Sequence, residues 1–144
     1  MNPLRFFLAL LLVSYTAGPV IAAEPAKVAN VTELLAHWEG LAPDGSKVSY
    51  LFSADGRVIW TIGANKPVNG RYEAKKKAAL VELDIFDFDL PHLAGFRFLG
   101  IAEIKGEKMK FFGIPSKGGK NRDGSPATHP KEFPGDAIVF SKVP

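Results

Sequence analysis

The densest group of side chains that could do chemistry is a run of carboxylates in the middle of the chain. Glu82 and Asp84 are followed closely by Asp87 and Asp89. Several carboxylate oxygens on one rigid loop bind hard cations, and two carboxyl groups at a fixed separation hydrolyse glycosides. In an extended strand, however, Asp87 and Asp89 lie on one face about 7 Å apart, too far to share an ion. The pattern therefore favours a solvated strand face over a metal site or a catalytic pair.

The histidines and serines do not form a recognisable catalytic or metal-binding arrangement either. His37, His92 and His129 are scattered, and no two have a spacing typical of metal ligands. The chain contains no cysteine and no Gly-x-Ser-x-Gly sequence, and Ser116 and Ser125 have no evident base beside them. We therefore predict no catalytic residue, no metal site and no cofactor. A hydrolytic enzyme is the least favoured of the three function classes considered below.

A basic, glycine-rich segment at residues 117–122 offers backbone amides and positive charge to an anion. It lacks the preceding strand, the spacing and the following helix of a phosphate-binding loop, so a solvated loop tip is the favoured interpretation. The segment belongs to residues 115–135, which contain four prolines and four glycines and predict a long irregular loop. Loops of this length in a small domain tend to be functional or mobile.

The beginning of the chain has the layout of a secretory signal peptide. A short basic stretch precedes an unbroken apolar run at residues 6–13, and Pro19 and two small residues follow it. The apolar run is shorter than the roughly 20 residues that span a bilayer. We predict a signal peptide at residues 1–23, a flexible leader at 24–31 and one domain at 32–144. The product is then periplasmic or secreted, with no stable membrane insertion.

Charge and composition limit the partners of this predicted domain. Without the signal peptide, seventeen basic and fifteen acidic residues remain, a net charge of +2. This balance is too weak to indicate a nucleic acid or an anionic membrane surface as the partner. Because cysteine is absent, an exported domain of this size must be stabilised by its core alone. The oligomeric state stays open.

From residue 46 onwards, apolar residues recur at every second position, which is typical of half-buried β-strands. Tyr50 and Phe52 belong to one such row, and Trp60 belongs to the next row, beyond an Asp-Gly pair that predicts a hairpin. Further strands are predicted at residues 70–74, 78–85, 96–104, 108–114 and 136–143. We count seven or eight strands joined mostly by tight turns.

Two irregularities interrupt this alternation. Residues 75–77 are all lysine and predict a charged turn between two strands. Past Ile85 the apolar positions continue at Phe86 and Phe88, one residue out of step. Such a slip turns the core face outward unless a bulge or a bend intervenes near this point.

Ahead of the strands, Leu34, Leu35 and Trp38 have helical spacing and predict a short helix. Short strands in series with tight turns are typical of an antiparallel meander, either closed as a barrel or folded as a sandwich. Closure leaves no unpaired strand edge. The predicted fold class is therefore all-β, an up-and-down barrel of about eight strands preceded by a short helix.

Four sequence elements, in this order, resemble the lipocalin-like (calycin-type) domains of small exported bacterial proteins. Residues 34–38 resemble their Leu-x-Gly-x-Trp opening, and Leu83-Asp84 lies where they carry an apolar residue followed by Asp. Residues 99–107 resemble their penultimate hairpin, and residues 129–133 resemble the Arg-Pro-x-x-Phe element before their last strand. The resemblance spans most of the predicted domain.

The resemblance implies a small up-and-down barrel and structural roles for three residues. Trp38 corresponds to the opening tryptophan, which plugs the floor of the barrel, and Phe133 closes the element before the last strand. A basic residue late in the barrel lies over the opening tryptophan in such domains, and Lys142 is the candidate here. The chain departs from the pattern at Ala36, where Gly is usual, and at His129, where Arg is usual. Lysine also stacks on an aromatic ring less well than arginine.

The predicted interior suggests what the barrel does. An eight-stranded barrel is just wide enough either to be filled by side chains or to hold one small ligand. The inward rows carry bulky aromatic residues, which favour filling, and also Gly100, Ala102 and Gly113, which leave room. We predict a small apolar or amphipathic ligand bound inside the barrel, with these binding residues: Tyr50, Phe52, Trp60, Phe98 and Phe111. A filled-barrel interaction domain of the cell envelope, with no ligand, is the alternative.

Overall fold

A computed structural model describes residues 31–144, and their eight antiparallel strands form a closed barrel in which each strand pairs with the next and the last with the first. The strands are β1 (His37–Leu41), β2 (Lys47–Phe52), β3 (Arg57–Ile62), β4 (Val68–Lys77), β5 (Leu80–Phe86), β6 (Phe96–Lys105), β7 (Lys108–Lys117) and β8 (Ile138–Val143). The predicted all-β, up-and-down barrel is confirmed. The predicted signal peptide, and the leader as far as residue 30, lie outside the described residues.

The alternation of residue types decides which face of each strand meets the interior. In β2, Tyr50 and Phe52 are buried in the core, whereas Leu51 between them is exposed. The hairpin that follows turns at Gly56, whose φ of 83° favours glycine. Closure is completed where β1 pairs with β8, with Gly40 opposite Phe140, and this pairing removes both edges of the sheet.

One end of the barrel, which we call the floor, is closed by the segment that precedes β1. Thr32–Leu34 forms a single 3-10 turn. Trp38 is fully buried, and its indole N–H donates a hydrogen bond of 3.0 Å to the carbonyl of Leu34. The predicted short helix is therefore corrected to one 3-10 turn, with Trp38 on β1. Val31, the last residue of the predicted leader, is buried in the same core.

The opposite end, which we call the mouth, is surrounded by four connections between strands. They are residues 42–46, 63–67, 87–95 and 118–137. The last connection is the long predicted loop, which begins three residues later than expected because β7 continues to Lys117. Within the described part of the chain, no helix has the length and hydrophobicity needed to cross a bilayer.

The two irregularities of the alternation have local structural explanations. Residues 75–77 do not form a turn, because they continue β4 and pair with β5, and the chain reverses at Ala78 with a φ of 55°. The phase slip past Ile85 coincides with the end of β5 at Phe86. Asp87 then adopts a φ of 52°, and Phe88 packs against the core.

Candidate functional site

A cavity of about 260 Å³ lies inside the mouth end of the barrel. Its walls come from the inward rows of the strands, from Pro43 in the first mouth connection and from residues 136–138, where the long connection enters β8. The aromatic residues that dominate its walls are Tyr50, Trp60, Phe88, Phe98, Phe111 and Phe140. Of the described residues that line it, Asp136 alone carries a charge at neutral pH.

The aromatic walls have defined mutual geometry. The rings of Tyr50 and Trp60 are nearly parallel, with centroids 6.3 Å apart and an interplanar angle of 3°. Phe98 meets Trp60 edge-on at 6.2 Å, and Phe88 meets Phe98 edge-on at 5.4 Å. Offset-stacked and edge-to-face arrangements are the favourable ones for aromatic pairs. The rings therefore support one another through favourable contacts.

The small residues on the inward rows leave less room than the sequence suggests. A Cβ at Gly100 would lie 2.5 Å from Phe111 Cε2, and a Cβ at Gly113 would lie 3.2 Å from Phe111 Cζ. The ring of Phe111 therefore occupies the space beside these glycines. Ala102 is fully buried in the core, and of the three only Gly113 lines the cavity.

Two of the aromatic lining residues, Trp60 and Tyr50, also carry a polar group. The indole N–H of Trp60 is buried and has no hydrogen-bond partner among the described residues. Leaving a buried donor unpaired costs about 1–3 kcal/mol, so such a group calls for an explanation. Burial raises the pKa of the Tyr50 phenol, which therefore stays neutral throughout the physiological range.

The structure brings together four of the five residues predicted to bind a ligand. Tyr50, Trp60, Phe98 and Phe111 line the cavity. Phe52 does not: it lies further towards the floor, stacked at 5.8 Å on Tyr50, because β2 runs from mouth to floor.

Nine of the thirteen lining residues were not among the predicted binding residues, and Phe88, Asp136 and Ala137 are the most informative of them. Phe88 stands on the out-of-step row, and a bend there was the available signal that its ring turns towards the interior. Asp136 and Ala137 follow a proline- and glycine-rich segment whose course carries no periodic signal. Only the closed barrel places these two residues beside the cavity.

The three predicted structural residues lie in different places. Trp38 belongs to the floor, as described above. Lys142 is directly opposite Trp38 in the pairing of β1 with β8, and its side chain is exposed. The ring centroid of Phe133 lies 5.4 Å from the ammonium nitrogen of Lys110 on β7.

The long connection, residues 118–137, forms a strap across the outside of the barrel. His129 Nε2 lies 2.6 Å from Asp84 Oδ1, and Arg97 Nε donates to the other oxygen of Asp84 at 3.0 Å. Arg97 also donates to Glu73 at 2.6 Å. Asp84 is only 9% exposed although its neighbours on β5 point inwards. Two elements of the lipocalin-like resemblance, Leu83-Asp84 and residues 129–133, thus meet at this contact.

The carboxylate run is therefore not a uniformly solvated face, which corrects the expectation for Asp84. Glu82 accepts a hydrogen bond from Lys77, which holds the pKa of the Glu82 carboxyl below its usual value. Asp89 accepts hydrogen bonds from Asn69, far from Asp84 on the mouth side. No group of three potential metal ligands converges anywhere in residues 31–144.

A second, outer groove of about 560 Å³ runs between the strap and the end of the β4–β5 hairpin. Its lining mixes the Lys77–Glu82 ion pair with the apolar side chains of Leu80 and Ile101. Ile101 is 3% exposed and points outwards on β6, so the strap covers a small apolar area of the outer wall. The strap is therefore held by apolar contact as well as by the contact of His129 with Asp84.

Comparison with known proteins identifies no relative of this chain. No protein-family model, no curated protein and no solved structure matches the chain. The eight-stranded up-and-down barrel is compatible with a lipocalin-like fold.

Proposed function

We propose that this protein is an exported binding protein that holds one small apolar or amphipathic molecule in the mouth cavity. The observation that carries the proposal is the aromatic cavity of about 260 Å³ above a sealed floor. The predicted signal peptide supports export, and the closed barrel provides a rigid frame around the site.

The size of the cavity favours a ligand over a filled barrel. Protein interiors are packed to the density of organic crystals, and their voids seldom exceed the size of a water molecule. An apolar cavity of about 150 Å³ is already large enough to bind benzene. A barrel that evolved to be filled would close this space with side chains, as it does around Trp38 at the floor.

The chemistry of the lining favours binding over catalysis. The described lining residues contain no histidine, lysine, serine or threonine, and they contain one carboxylate. General acid–base or nucleophilic catalysis requires a nucleophile and a base within hydrogen-bond reach of each other. Apolar walls with a few polar groups are instead typical of ligand sites.

The test is to fill the cavity without disturbing the fold. Ala137 lines the cavity, whereas Val139, two residues further, is half exposed on the outer face of β8. Calorimetric titration with naphthalene is expected to show saturable binding to the wild type and to Val139→Phe. Ala137→Phe should bind at least about tenfold more weakly, because the added ring occupies the site.

Native mass spectrometry of protein isolated from the envelope of producing cells provides the second measurement. One bound molecule per chain, present in Val139→Phe and lost in Ala137→Phe, is the expected result. Absence of any bound molecule, together with no naphthalene binding to the wild type, would establish the filled-barrel interaction domain instead.

A further inference from the structure

We infer that the ligand is a compact planar aromatic amine, a system of one or two fused rings whose ammonium group lies at Asp136. This inference rests on the proposed function and specifies the chemical class that the mouth cavity takes. It follows from the size of the cavity, the arrangement of its rings and the charges around it.

The volume limits the ligand to one or two rings. The cavity of about 260 Å³ is larger than the roughly 150 Å³ that holds benzene, and smaller than the roughly 300–1,000 Å³ of sites for drug-sized molecules. A long acyl chain or an extended polyene would therefore be enclosed over only part of its length and would project through the mouth into solvent. Below the cavity, Trp38 is fully buried in the core.

The arrangement of the rings favours a flat aromatic ligand. Tyr50 and Trp60 present nearly parallel rings, Phe98 stands edge-on to Trp60, and Phe88 stands edge-on to Phe98. A planar ligand ring can continue this alternation of faces and edges, and each favourable aromatic pair is worth about 0.5–1.5 kcal/mol beyond the area it buries. A branched or saturated ligand of equal volume gains only the burial.

The charges around the cavity favour a cation and disfavour an anion. Asp136 is the one charged residue among the described lining residues, and lysine, arginine and histidine are missing from that lining. A ligand carboxylate would lose water here without gaining a cationic partner, which is costly in an apolar site. An ammonium group gains the Asp136 carboxylate and the negative faces of the surrounding rings.

A ligand series with one ring system and three charges tests the inference. Indole is neutral, tryptamine adds an ammonium group and indole-3-acetate adds a carboxylate, while decanoate supplies an anion without a ring. By calorimetry we expect tryptamine to bind the wild type at least about tenfold more tightly than indole-3-acetate, with indole between them. Decanoate should not bind measurably.

A matched pair of variants separates the role of Asp136 from the general charge of the strap. Asp136→Asn should weaken tryptamine binding about three- to fivefold, which is the range of a solvent-exposed ion pair, and should leave indole within about twofold. Glu132→Gln removes an exposed carboxylate of the strap that does not line the cavity, and it should change neither affinity.

The outcomes distinguish this inference from the proposed function. If indole-3-acetate or decanoate binds as tightly as tryptamine, the chemical class is wrong while the binding function stands. Equal effects of Asp136→Asn and Glu132→Gln on tryptamine lead to the same conclusion. If no member of the series and no naphthalene binds to the wild type, the inference and the proposed function fall together.

Discussion

Each end of the barrel contains a tryptophan, and the two tryptophans differ in packing and in hydrogen bonding. At the floor, Trp38 is fully buried and its N–H donates to the Leu34 carbonyl. At the mouth, Trp60 is partly exposed, lines a cavity, and its buried N–H has no partner among the described residues. A tryptophan that supports the fold is thus distinguished from one that lines a site by the completeness of its packing and hydrogen bonding.

The difference arises from what crosses each end. The segment before β1 supplies both a backbone carbonyl and the side chains of Val31 and Leu34 to the floor. Four connections surround the mouth. Phe88 in one of them and residues 136–138 at the end of another line the cavity. The chain itself therefore closes the floor, whereas the mouth end contains the cavity.

The strongest test of this comparison is truncation of each tryptophan. Trp38→Ala should lower the free energy of unfolding by roughly 3–5 kcal/mol, because it removes a fully packed aromatic side chain. Trp60→Ala should lower it by less than about 2 kcal/mol, because that ring lines a cavity and already contacts solvent. Urea denaturation of both variants measures the difference. Equal losses would mean that the mouth is packed like the floor.

A smaller effect is expected from releasing the strap. Asp84→Ala removes the acceptor of Arg97 and the partner of His129, and it should destabilise by about 1–3 kcal/mol. Because the strap leads directly into residues 136–138, the same change should also weaken binding of indole. Asp87→Asn is the control, since the exposed Asp87 faces Arg71 at 3.8 Å and contributes little, and asparagine tolerates its φ of 52°. A destabilised variant with unchanged binding would show that the strap does not position the mouth.

The smallest effect is a pH dependence. Burial raises the pKa of Tyr50 in the folded state, so the stability that this neutral phenol contributes is complete below the unfolded-state pKa of about 10. Above that value the unfolded chain ionises first, and the free energy of unfolding should fall by about 1.4 kcal/mol per pH unit until the folded phenol also ionises. Chemical denaturation between about pH 9 and about pH 11 measures this slope.

Tyr50→Phe should flatten most of that alkaline slope. Tyr72 provides the comparison, because desolvation also raises the pKa of its phenol, but by less than it raises the pKa of Tyr50. Tyr72→Phe should therefore reduce the slope by a smaller amount. If the two variants reduce the slope equally, the phenol of Tyr50 is no better shielded from water than the phenol of Tyr72.

The fold was predictable because the residue patterns that favour strands and turns involve neighbours in the chain. A period of two places Tyr50 and Phe52 on one face whatever the rest of the molecule does, and an Asp-Gly pair reverses the chain by its own backbone preference. Local sequence gave the wrong prediction at residues 75–77, where three lysines suggest a turn. They continue β4 because their strand pairs with β5 over its full length.

Alternation and turn chemistry act between neighbouring residues, so the sequence was sufficient to predict most of the strands, their order, the aromatic interior and the different roles of Trp38 and Trp60. Contacts between distant segments decide that Phe111 fills the space beside Gly100 and that Asp84 is covered by the strap. These outcomes depend on which distant segment crosses each end and each wall of the barrel. The path of a proline- and glycine-rich connection cannot be predicted from residue periodicity. The candidate site that such a connection completes is therefore visible only in the closed barrel.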